Sequence, residues 1–111
     1  MDRLDWEILN ATADDWENLE QIYLAVCFEV VPSGPESNGL PFLRPIPEAP
    51  TLQDVADRLC KLFQAGRLTG RWEDGKPLTC IKDPACVLHA WFAMTLEGRE
   101  AWSVPELAAG R

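Results

Sequence analysis

Cys80, Cys86 and His89 stand at the spacing Cys-x5-Cys-x2-His, and thiolates with an imidazole are the ligands zinc prefers. The set is one ligand short of a structural zinc site and lacks a Cys-x2-4-Cys knuckle. Cys27 or Cys60 would have to supply the fourth from a helix, where each sits near an apolar stripe. The four cysteines therefore read as small core residues (Cys27, Cys60) and reduced hairpin residues (Cys80, Cys86), and the chain is expected to fold without metal or cofactor. His89, the single histidine, lies three residues from Cys86 in an apolar run. On a strand that separation sends the two side chains to opposite faces, which removes a nucleophile-and-base pair and leaves a partly buried, hydrogen-bonded histidine. Asp14 and Asp15 are better placed to answer a helix macrodipole than to act as acid and base. With no Gly-rich phosphate loop either, no catalytic residue and no small-molecule ligand are assigned, and an enzyme is not expected.

The chain has 111 residues and a formal net charge of -8, with 47% hydrophobic and 25% charged residues. That is the size and composition of one folded domain, 1–111. Residues 1–30 hold eight acids (Asp2, Asp5, Glu7, Asp14, Asp15, Glu17, Glu20, Glu29) against Arg3, a net -7, and the other 81 residues hold ten acids and nine bases. An acidic surface repels phosphate, so the N-terminal third is not expected to touch a nucleic-acid backbone. No run approaches the roughly 20 apolar residues of a membrane span, and the first residues are acidic where a secretory leader is basic. A cytoplasmic protein without membrane contact is expected.

The elements that must position these residues can be read from periodicity. Leu4, Ile8 and Leu9 predict a helix over about 3–12. Asp14 with Glu17 has capping-box spacing, and Trp16, Leu19, Ile22, Tyr23, Val26 and Val30 predict a second helix from about Asp15 to about Glu29. Six prolines and two glycines between Pro32 and Pro50 predict a long loop without a regular element. Phe42, Leu43 and Ile46, with Leu40, are expected to pack this loop onto the domain, because their exposure would cost free energy. Thr51 with Asp54 opens a third helix whose stripe is Leu52, Val55, Leu59, Leu62 and Phe63, and Gly66 stops it. Arg67–Trp72 reads as a strand, Glu73–Lys76 as a turn and Leu78–Ile81 as a short extension. Lys82-Asp83-Pro84 breaks the chain. Val87–Met94 reads as a strand covered on both faces, and Thr95 caps a short helix over Leu96–Trp102, ahead of a small-residue tail from 104.

This order of helix, helix, helix, strand, strand and short helix, in an α+β but mostly α chain, resembles a winged helix-turn-helix domain. TLQDVADRLCKLFQAGRLTGRW is similar to the third helix of bacterial winged-helix regulators and its Leu-x-x-Leu-x-x-x-Gly-x-Leu ending, matched by Leu59, Leu62, Gly66 and Leu68. WFAMTLEGREAW is similar to the last wing strand and its Leu-Thr-x-x-Gly-Arg turn, matched by Met94, Thr95, Gly98 and Arg99. ILNATADDWENLEQIY looks like the first helix, the turn and the second helix of the same family. The resemblance implies a three-helix core with a β-hairpin wing, and a third helix that reads the major groove through its first residues.

Two features depart from that pattern. The Pro-rich segment stands where the family has a short turn, and the exposed start of the third helix is Gln53, Asp54 and Asp57, whose carboxylates oppose phosphate. Arg58, Lys61, Arg67, Arg71 and Lys76, with Gln53, remain the candidate contacts for nucleic acid or a partner, yet residues 51–76 total only +1. Of the five tryptophans, Trp6 and Trp102 are the candidates for an interface, since small cores rarely hold five and Trp is enriched at binding hot spots. Two function classes follow: a winged-helix-like module acting through a protein partner or a homodimer, with a regulatory role, which the charge favours, and a winged-helix DNA-binding transcriptional regulator, which the resemblance favours.

Overall fold

Reciprocal side-chain caps start three of the helices in the computed structural model, which describes residues 2–31, 42–81 and 84–103, with the backbone alone for Phe42 and Pro84. Asp2 accepts from the Asp5 amide while the Asp5 carboxylate accepts from Asp2, which opens α1 (Arg3–Ala11). Asn18 and Gln21 do the same for α2 (Leu19–Cys27), and Thr51 and Asp54 for α3 (Leu52–Gln64). The backbone amide of Thr51 is the main reason the Asp54 carboxyl is held below its ordinary value. α3 ends in a Schellman motif. Gly66 takes φ +79°, its amide reaches Phe63 O at 3.1 Å, and the Arg67 amide reaches Leu62 O at 3.0 Å.

The second helix is shorter than its periodicity predicts. Trp16 lies outside it, and Glu17–Asn18 form a two-residue strand, β1, because they pair with Phe92 and Trp91. The helix stops at Cys27, and the chain runs directly into β2 (Phe28–Val31). β2 pairs antiparallel with β3 (Phe42–Pro45), so the Pro-rich stretch is not wholly irregular. Among the described residues β3 has a neighbour on one side only, which is where a strand can end in proline. Residues 32–41, with Leu40, lie outside the described residues, as does the tail from 104.

The expected packing of that segment is met in part. Ile46 is half-buried and its amide donates to Cys27 O at 2.9 Å, whereas Leu43 is 53% exposed beside Val30 at 67%. The side chain of Phe42 is not described. The buried Cys27 thiol donates to Pro50 O at 3.2 Å, and burial, followed by the charge of Asp54, pushes its pKa up.

β4 (Leu68–Trp72) turns through Gly75, at φ +89°, into β5 (Pro77–Leu78). The apolar run from Val87 is not one strand: Pro84–His89 is a 3-10 helix, and only Ala90–Met94 forms a strand, β6. The four-stranded antiparallel sheet has the order β1-β6-β4-β5, and Thr95 caps α4 (Leu96–Trp102). α1, α2 and α3 pack on one another, with α3 also against β4 and the 3-10 helix. Ile8, Ile22, Val55, Leu59, Val87 and Phe92 are fully buried at their junction. Leu52, expected in the core stripe, is 43% exposed. The protein is thus α+β with antiparallel sheets, and among the described residues no helix is long and apolar enough to cross a membrane.

Candidate functional site

Arg58, midway along α3, decides what the cationic residues can do. Its Nη1 donates to both carboxylate oxygens of Asp2 at 2.5 Å and to Asp5 Oδ1 at 2.9 Å. The first turn of α1 is thereby fastened to α3. The guanidinium, ahead of the Asp5 amide, holds the Asp2 carboxyl below its ordinary value, while Asp2 and then Asp5 drive the Arg58 pKa upward. Lys61 and Arg67 lie around the same shallow depression, of about 230 Å³, which Asp5 also lines. The structure therefore brings Arg58, Lys61 and Arg67 together, but two carboxylates stand among them.

The other candidates lie elsewhere. Gln53 donates its amide to Asp57 at 2.8 Å. Arg71, at the far end of β4, lays its guanidinium over the Trp16 ring at 4.5 Å and pairs across the sheet with Trp91. Lys76 sits at the hairpin turn, 3.9 Å from Asp74.

Arg58→Leu is expected to lower stability at pH 7 by about 1–2 kcal/mol, the range for hydrogen-bonded charges discounted for the 55% exposure of the Asp2 side chain. Asp2 titrates lower in the fold than its ordinary 3.8, so its contribution is complete above that value and fades as the pH falls below it. Urea midpoints of parent and variant should differ at pH 7 and draw together as the pH falls below 3.8. A gap that stays constant on acidification would assign the effect to the arginine stem.

Of the two interface candidates, Trp6 is buried and Trp102 half-buried against it. Trp6 is 5% exposed, its ring stacks on that of Trp102 with centroids 6.2 Å apart, and its Nε1 donates to Trp102 O at 2.9 Å. The pair holds α1 to α4, and the Arg99 guanidinium lies 5.8 Å from the Trp102 ring centroid.

Cys80 is exposed, Cys86 half-buried, and the His89 side chain 71% exposed with Nδ1 4.0 Å from a Glu73 carboxylate oxygen. The partly buried histidine and the strand geometry expected for this segment are both overturned. In a 3-10 helix residues three apart share a face, so Cys86 and His89 lie on the same side. Among the described residues no group of three or more His, Cys, Asp or Glu could hold a metal.

The surface that periodicity concealed is apolar. Leu52 begins α3 and Leu88, at 55% exposure, lies in the 3-10 helix. Together with Leu19, Ala56 and Val87 they line a recess of about 430 Å³. A neighbouring recess of about 420 Å³ shares Leu19, Leu52 and Leu88 and adds Tyr23, Glu20 and Glu73. Leu52 counts toward the core stripe by spacing and Leu88 reads as a strand residue, so nothing in the spacing marks either as exposed. No family model, curated protein or solved structure matches the chain.

Proposed function

We propose that this chain is a non-enzymatic, winged-helix-like module that acts through protein-protein interaction, in a regulatory role. Three mutually packed helices followed by the β4–β5 hairpin, β6 and a short helix support the winged-helix-like reading. The observation that carries the choice of a protein partner is the outward start of α3, where Leu52, Gln53, Asp54 and Asp57 are all exposed. A helix that begins on a leucine and two carboxylates is built to meet apolar surface and cations, while Arg58, the first cation along it, is already engaged by Asp2 and Asp5. The alternative, a DNA-binding regulator, draws on Lys61 and Arg67 on the second half of α3 and just beyond it.

Binding to a fluorescent 30-base-pair duplex of random sequence separates the two. At about 150 mM salt the dissociation constant should be weaker than about 100 μM, the weak end of non-specific binding. The dependence of log K on log salt should also stay shallow. Sub-micromolar affinity with a slope indicating several neutralised phosphates would establish the DNA-binding reading instead.

A further inference from the structure

Single exposed leucines are ordinary on a protein surface, whereas apolar side chains from separate segments that meet over a buried floor mark a contact site. Leu52 from the start of α3 and Leu88 from the 3-10 helix meet in this way, over Leu19 at 3% exposure and Val87 at 0%. The two recesses they line adjoin through shared residues, and each falls within the range of ligand-sized sites. The edge is anionic. Glu20 and Glu73 border the second recess, Glu20 has no cationic partner among the described residues, and no described Lys or Arg lines either recess.

The helix N-termini that converge here do not call for an anion, because each already has a carboxylate in its first turn, Glu20 in α2 and Asp54 in α3, and the Asn18 and Thr51 caps take the amides of Gln21 and Asp54. A second copy of the chain, itself at -8 and with -7 in the segment that supplies Leu19, Glu20 and Tyr23, would meet like charge.

We infer that the apolar surface between α2, α3 and the 3-10 helix is the docking site for a short amphipathic segment of a partner protein, presenting leucine-sized side chains flanked by lysine or arginine. This rests on the protein-interaction reading and adds to it the surface and the partner's chemistry. The apolar side chains of the segment enter the two recesses, and its cations lie against Glu20 and Glu73. Burial supplies the affinity, and the charge pairs set the orientation and exclude acidic competitors.

Two fluorescein-labelled 16-residue helical peptides with one identical leucine stripe, the other positions lysine in one and glutamate in the other, test this on the full chain. The lysine peptide should saturate, and the glutamate peptide should bind at least about tenfold more weakly. Leu52→Ser with Leu88→Ser should weaken the lysine peptide by about tenfold or more, with the circular dichroism spectrum and urea midpoint of the parent retained. Glu20→Lys with Glu73→Lys should exchange the preference between the peptides. Equal binding of both peptides, no binding of either, or a leucine double variant that binds like the parent would overturn the inference. Peptide cross-links that map to another face, or self-association through this face in sedimentation, would overturn the assignment of surface or partner while leaving the interaction reading standing. Steeply salt-dependent binding of duplex DNA would remove that reading itself.

Discussion

Replacing Phe92 with alanine should cost about 3–5 kcal/mol, the largest single loss expected in this chain. Phe92 is fully buried in β6, between Glu17 of β1 and Gly70 of β4 in the register, and sits edge-on to Phe63 of α3 at 6.5 Å and 78°. Gly70 makes the fit possible. A Cβ there would stand 2.8 Å from a Leu78 methyl and 3.4 Å from the Phe92 ring, so the bare backbone gives the ring and the leucine their space. Truncation leaves a void flanked by a glycine, which has no side chain to move into it. Domains of this size are stable by about 5–15 kcal/mol, so the variant should approach unfolding, with a urea midpoint lower by on the order of 2–4 M. A loss below about 1 kcal/mol would show that the sheet does not pack on α3 through this ring.

Gly98→Ala should also destabilise, against the usual gain from replacing a helical glycine. In an open helix that exchange is worth up to about 1 kcal/mol in favour of alanine. In α4 the added methyl would run into the carbonyl oxygen of Arg67 and come within 2.9 Å of Met94 Cγ. The Arg67 carbonyl is itself held, since it accepts the Thr95 amide at 3.2 Å, and backbone cannot step aside as a long side chain can. Overpacking of this kind costs about 3 kcal/mol, which outweighs the propensity gain and leaves a net loss of about 2 kcal/mol. The melting temperature should fall by on the order of 8 °C. A rise instead would mean that α4 is free to tilt away from Arg67 and β6.

How far the sequence disclosed this depends on how local each determinant is. The third helix was legible from Thr51 to Gly66 because its cap, stripe and stop all lie within the element. The Thr95 cap was legible for the same reason. The start of α2 was not, since Asp14 with Glu17 and Asn18 with Gln21 are both acceptable cap spacings four residues apart. What selects the second is the pairing of Glu17 and Asn18 with β6, more than seventy residues away. An apolar run such as Val87–Met94 has no period to betray that its first half is a 3-10 turn. β3 was hidden by prolines that an edge strand tolerates. For the candidate site the limit was the same. Arg58, Lys61 and Arg67 can be counted in the sequence, but the carboxylates that answer Arg58 come from Asp2 and Asp5, at the other end of the chain. Trp6 and Trp102 looked like two spare aromatics until the fold made each the cover of the other.

That clasp between α1 and α4 bears on how the chain comes to fold. Trp6 and Trp102 are 96 residues apart, so the hydrogen bond between them closes a loop spanning nearly the entire sequence. During synthesis α1 emerges before α4 and cannot acquire this neighbour until α4 has left the ribosome. Until then its indole lacks the cover that Trp102 gives it. Contacts of such separation form late, because the closure entropy must be met before they give any return. Trp6 is therefore a reporter of a late step, and its burial by Trp102 marks the docking of α4 on α1.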